Sequence, residues 1–247
     1  MMTSLILALF LVSTAADPAS HWPVYQDSQQ EPSETELAIE EAEALMREAV
    51  AQGGRGAAGE ARESLQYAYE VLASSQDAST DPSITQARWH LGNVALKLAD
   101  YSLARSAFEA VLEFRKQNLD KDDPQIMRAR VNLSATCVYL GDLDTSLSLN
   151  KENLEYVLRV YPDDHPDVQK VRLNVAATLI ELGEIAEART LLESAVTRLE
   201  QAESADKLDL MRARMNLGVA LARGGDPGRA AVMFARILKD QEKNLGP

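Results

Sequence analysis

Two sets of side chains recur along this 247-residue sequence at a step of 42 residues, and their chemistry is that of a recognition surface. One set is His90, Asn132, Asn174 and Asn216; the other is Gln86, Arg128, Lys170 and Arg212. An asparagine amide offers a donor and an acceptor together, so a row of them can pair with the N–H and C=O groups of a polypeptide strand that has no partner of its own. The neighbouring guanidinium and ammonium groups make charge-assisted hydrogen bonds to acidic side chains or to a terminal carboxylate. Members of the two sets lie four residues apart within each repeat, which on a helix puts them on one face.

No other arrangement in the sequence supplies a reaction. The three histidines, His21, His90 and His165, are far apart, and no pair of them shows metal-ligand spacing on one helix. The stretch from Gln52 to Gly59 lacks the Lys-Ser/Thr ending that a phosphate-binding loop requires. Glu40, Glu41 and Glu43 are paired acids on an alanine-rich helical stretch, the pattern of a solvated face. Cys137 is the single cysteine, so no disulfide forms within the chain; its place on a predicted helix seam fits a small buried apolar side chain. Asn132-Leu133-Ser134 spells a glycosylation acceptor, but in a helix interior, the wrong context for a surface-loop motif. The expectation is a non-enzymatic protein with no cofactor and no metal, which acts by binding.

Composition narrows the class of partner. Lys and Arg number 25 against 38 Asp and Glu, a net charge of −13, so a nucleic-acid backbone is excluded as the expected ligand and an anionic membrane surface is disfavoured. Hydrophobic residues make up 46% of the chain and aromatics only 5%. That is enough apolar surface for a packed interior, and its Ala and Leu content favours helix over sheet.

The elements that must position the two sets follow from the same step. Gly141, Gly183 and Gly225 keep it, with Ala99 at the matching place upstream. Leu91, Leu133, Val175 and Leu217 form an apolar column, and Ala104, Ser146, Ala188 and Ala230 a column of small residues. Pro82, Pro124 and Pro166 open three units, with Asp81, Asp123, Asp164 and Asp206 nearby. Within a unit the apolar spacing is helical, as in Leu91, Ala95 and Leu98, then Ala104, Phe108, Val111 and Leu112. Each unit reads as a helical hairpin: Pro suits a first helical turn, Gly the turn between helices, and the small column lets the two helices approach closely. The column Arg88, Arg130, Arg172 and Arg214 falls three residues before the packing leucine, on the buried side. It is expected to be structural, bonding an acidic side chain or helix-terminal carbonyls, with Asp81, Asp123, Asp164 and Asp206 as candidate partners.

Asn132-Leu133, Gly141 and Ser146, then Asn174-Val175, Gly183 and Ala188, with the linker Asp163-Asp164-His165-Pro166, resemble tetratricopeptide repeats of the 42-residue, kinesin-light-chain-like type. The resemblance covers about residues 81–247 as four repeats, and residues 35–80 read as a degenerate capping hairpin, with helices around Glu36 to Ala51 and Glu60 to Ser75. It implies an all-α fold, a right-handed superhelix of antiparallel helix pairs, in which the first helix of each pair lines a concave face. Placed on that face are Gln86, His90, Asn93 and Lys97, then Arg128, Asn132, Ala135 and Tyr139. Lys170, Asn174, Ala177 and Glu181 follow, then Arg212, Asn216, Val219 and Arg223. The family's members are scaffolds, so the expected partner is a protein, presenting an extended, acidic peptide segment to the groove.

Both ends carry expectations of their own. Residues 1–16 hold no charged side chain, and Leu5 to Val12 form a short apolar run ending in Ser13-Thr14-Ala15-Ala16, which reads as a secretory signal; residues 17–34 read as a disordered linker. Export to the periplasm or outside the cell follows, a cytoplasmic location being the alternative. Asn244-Leu245-Gly246-Pro247 resembles the start of another linker. That leaves two alternatives to a self-contained scaffold: the recognition half of a larger signalling or proteolytic protein, or self-association through apolar surface around Phe234, Ile237 and Leu238.

Overall fold

A computed structural model describes residues 32–75, 80–202 and 206–245, without the side chains of 241–245. The expected signal, nearly all of the linker and His21 lie outside the described residues. Ten α-helices and no strand occupy the described residues, in two compact units. The first unit holds α1 (Glu34–Gly54), α2 (Ala58–Ser74), α3 (Pro82–Lys97), α4 (Tyr101–Asn118) and α5 (Pro124–Leu140). The second holds α6 (Leu143–Val160), α7 (Pro166–Leu182), α8 (Ile185–Gln201), α9 (Lys207–Arg223) and α10 (Pro227–Leu245).

Helix starts are set by side-chain caps. Ser33 and Glu36 form a reciprocal capping box at α1, the Ser33 N–H donating to Glu36 Oε2 at 2.7 Å and the Glu36 N–H to Ser33 Oγ at 3.2 Å. Asp81 accepts from the Ser83 N–H at 2.6 Å and Asp206 from the Leu208 N–H at 2.9 Å. Asp123 accepts from the Gln125 N–H at 2.7 Å, and His165 Nδ1 from the Asp167 N–H at 3.2 Å. These caps correct the partners expected for the arginine column. An aspartate placed just before the first helical turn has N–H donors in immediate reach and bonds those.

The arginines reach elsewhere. Arg88 donates to the Leu72 carbonyl in the last turn of α2 at 3.3 Å, the helix-terminal contact expected of this column. Arg172 donates to the Asp163 carbonyl at 3.1 Å and to Gln169 Oε1 at 3.1 Å, and pairs with the carboxylate of Asp163 rather than that of Asp164. Arg214 bonds Glu200 Oε1 at 2.8 Å and pairs with Asp240.

The turns show why the glycine column exists. Gly183 closes α7 with φ +86°, while the next N–H, that of Glu184, returns to the Leu179 carbonyl at 2.9 Å. Gly141 and Gly225 adopt φ +78° and +83°. Ala99 takes the same left-handed backbone, φ 61°, where its Cβ crowds the following carbonyl.

In the first unit α1 packs on α2, α3 on both, and α4 between α3 and α5; in the second, α6 packs on α7, α7 on α8, and α9 on α7, α8 and α10. Ile84, Leu91, Phe108 and Val111 are fully buried in the first, and Ile180, Leu192, Ala195 and Ala220 in the second. Each large apolar side chain so buried contributes roughly 1.5–3 kcal/mol. The helices of a pair meet through matched sizes. A Cβ on Gly92 would lie 2.7 Å from the Phe108 ring, and one on Gly218 would lie 2.6 Å from the Phe234 ring. Where the second helix carries Leu192 instead, the first carries Ala176, and both are fully buried. No helix among the described residues is long and apolar enough to cross a membrane.

Candidate functional site

In the first unit the expected ligand-facing residues stand on α3 and α5. Gln86 Nε2 and His90 Nε2 are 2.9 Å apart, one turn from each other on α3. Asn132 donates through Nδ2 to Asn93 Oδ1 at 3.0 Å, and Asn93 in turn donates to the Trp89 carbonyl at 2.9 Å. The structure therefore brings Asn132 and Asn93 together as a bridge between adjacent first helices, half-buried on both sides. Arg128 remains exposed. Beside it Arg115 is buried, stacked over the Trp89 ring at 4.7 Å from its centroid and donating to the Gln125 carbonyl at 2.9 Å. Burial first, and then the charge of Arg128, pull the Arg115 pKa down to about 10, against the opposing pull of Asp123. Tyr139, at the far end of the same face of α5, stacks flat on Tyr101 with ring centroids 4.5 Å apart. Its phenol is shifted upward by burial and by Tyr101.

The second unit places its four residues on α7 and α9. Lys170 is exposed, its Nζ bonding Asp167 Oδ1 at 3.1 Å and lying 3.8 Å from Asp209 Oδ2. Arg212 Nη1 lies 3.6 Å from Asp209 Oδ1. Asn174 is half-buried, and Asn216 is only 4% exposed, with an Oδ1 that accepts no hydrogen bond from the protein. Burial of Asp209, reinforced by the charge of Asp206, raises its carboxyl pKa against the lowering pull of Lys170 and Arg212. Further along the same faces Arg223 donates to the Ile180 carbonyl at 2.8 Å and approaches Glu181 at 3.5 Å.

The basic residues on these faces of the second unit, Lys170, Arg212 and Arg223, are thus matched by Asp167, Asp209 and Glu181, while in the first unit Arg128 is exposed beside the buried Arg115, which Asp123 also faces. Reading the sequence missed Asp209, although a signal was there: Asp167 and Asp209 keep the 42-residue step, each three residues before a basic member of the ladder. It also missed Arg115, whose burial depends on Trp89 from another helix and has no trace in the repeat. No group of His, Cys, Asp and Glu among the described residues has the arrangement of a metal site.

A tetratricopeptide repeat family model matches the chain in three overlapping stretches, residues 83–159, 125–201 and 167–243. No curated protein sequence matches it significantly. Among solved structures the chain is similar to kinesin light chain nearly identical TPR-like repeats from Podosopora anserina, in a singly substituted form, with a TM-score of 0.69 at 17% identity, over 85% of this chain and 98% of that one. BtubC (BKLC) from P. vanneervenii is similar with a TM-score of 0.62 at 18% identity, over 87% of this chain and 94% of that one. At such identities the likeness is one of fold.

Proposed function

This chain belongs to the tetratricopeptide repeat family, a family of interaction scaffolds, and from that premise we propose that it binds an extended segment of a partner protein along the first-helix faces of its repeats. Acidic side chains of that segment meet Arg128. The observation that carries this reading is the exposure of Arg128 on the first unit's face beside the buried Arg115, whose acidic neighbour is Asp123. Arg128 is close enough to Arg115 to depress its pKa, on a chain whose net charge is −13. A compact positive locus on an acidic molecule attracts and orients an acidic segment while the remainder repels it. Gln86, His90 and Asn132 in the first unit, and separately Lys170, Asn174, Arg212 and Asn216 in the second, are the candidate partners for the main chain of such a segment.

The test is selection of a random-peptide display library on the purified protein. Enriched peptides carry Asp or Glu, and Arg128→Glu weakens them about tenfold while the melting temperature stays unchanged, since the side chain is exposed. A library that enriches nothing, or peptides indifferent to Arg128→Glu, rejects the reading.

A further inference from the structure

We propose that Asp209, Arg212 and Asn216 on α9 form a seat for a basic residue of the bound segment, so that the partner carries a lysine or arginine at a fixed position as well as acidic residues. The inference rests on the peptide-binding reading above and adds the chemistry of one subsite.

The three residues lie three and seven positions apart and so share a helix face. Asp209 is 3% exposed and Asn216 4%. Oδ2 of Asp209, Oδ1 of Asn216 and Nε of Arg212 are all buried and form no hydrogen bond within the protein. Buried polar atoms are nearly always bonded, because leaving one unmade forfeits its hydration with nothing in return. Capping does not account for Asp209, since the cap of α9 is Asp206. Nor do its cations satisfy it: Lys170 at 3.8 Å and Arg212 at 3.6 Å stand outside hydrogen-bond range, so they lower the cost of the charge without bonding the oxygen.

Two open acceptors and one open donor are the complement of a main-chain amide together with a cationic head group. The ammonium or guanidinium bonds Asp209 Oδ2, a main-chain N–H bonds Asn216 Oδ1, and a main-chain carbonyl accepts from Arg212 Nε. Asp209 and Asn216 are about 10 Å apart along the helix, a span that about three extended residues cover. Lys170 is the cover of the seat: exposed and already bonded to Asp167 at 3.1 Å, it can swing off Asp209 without losing its own partner. An acidic residue brought to this place would instead stand beside Asp167 and Asp209, and like charges at that range repel.

The experiment uses the display library on the wild-type protein and on Asp209→Asn, followed by a pair of synthetic peptides made from one enriched sequence. In that pair the basic residue is kept or replaced by norleucine. Wild-type selections fix a lysine or arginine at one position, and norleucine weakens binding about tenfold or more. On Asp209→Asn the same replacement changes affinity less than about twofold. Peptides enriched without a fixed basic position, or a norleucine peptide that binds wild type as tightly, overturn the seat and leave the peptide-binding reading standing. Absence of any enrichment overturns both. The norleucine comparison is made on the unaltered chain, so an unchanged affinity overturns the seat even where Asp209→Asn fails to fold; Asn216→Ala then takes its place as the variant that locates the basic residue, weakening the enriched peptide about tenfold if the seat holds and leaving it unchanged if it does not.

Discussion

Single residues carry two sharp expectations. Ala99 occupies, at φ 61°, the left-handed turn position that glycine fills at Gly141, Gly183 and Gly225. The left-handed conformation costs an alanine about 1 kcal/mol that glycine does not bear, less glycine's extra entropy in the unfolded chain. Ala99→Gly therefore raises the melting temperature, whereas Gly183→Ala lowers it by a comparable amount; thermal denaturation followed by circular dichroism measures both. Arg172, with 11% of its side chain exposed, holds the Asp163 carbonyl and carboxylate. Arg172→Ala costs about 1–2 kcal/mol of stability and leaves affinity for an enriched peptide within a factor of two or so, because it strands the buried Gln169 Oε1 and touches no face residue, while Asp163 keeps Arg198 and the Gln169 amide. An equal loss in peptide binding would put this arginine on the ligand side.

At the scale of helices, two effects of opposite sign can be set against each other. Alanine is the better helix former by roughly 1 kcal/mol, so propensity alone has Gly218→Ala stabilise α9. The Phe234 ring lies where the new methyl would go, at 2.6 Å, and overpacking of that kind costs about 1–3 kcal/mol. The net expectation is destabilisation, reversed in sign when Phe234→Leu is present, as a four-variant denaturation cycle would show. The first turn of α9 carries the other expectation. Burial raises the pKa of Asp209, so its folded carboxyl holds a proton more tightly than the unfolded one. The ionised form is the costly one in the native state; this penalty is absent below the ordinary value of 3.8 and grows as pH rises through the raised folded value. Relative to Asp209→Asn, wild-type stability must therefore fall as pH climbs above the ordinary carboxyl value of 3.8, until the folded carboxyl is itself ionised. A constant difference between the two melting curves across that window would mean that Lys170 and Arg212 fully offset the burial.

For the molecule as a whole, the expectation concerns salt. Its net charge of −13 repels an acidic segment at long range, while the locus at Arg128 attracts it at short range. The long-range part is screened beyond a Debye length of about 10 Å at 0.1 M salt. Contacts at Arg128 are exposed and weaken with salt as well, whereas the Asp209 seat is buried and is screened far less. Titrations of an enriched peptide at rising ionic strength should thus show affinity rising at low salt, as the long-range repulsion is screened, and then falling to a plateau as the exposed contacts at Arg128 weaken. In Asp209→Asn the plateau is lower; a fall without limit in wild type would assign all of the binding to exposed charge.

The repeat made the helices legible without coordinates. A constant 42-residue step, proline and aspartate before the first helix and glycine at the turn leave the backbone one economical solution, so helix number, order and turn positions in residues 81–245 could be read directly. The ladders too were visible as columns, because equivalent positions on equivalent helices recur by arithmetic. Bonding state was not. Asn132 binds Asn93 and Lys170 stands over Asp209 because neighbouring first helices lie a side chain's reach apart, and pairing across that gap depends on distance and burial rather than on the step. Sequence spacing set which side chains share a face; only packing in three dimensions decided which of them had already found a partner and which, like Asp209 and Asn216, kept an open hydrogen bond.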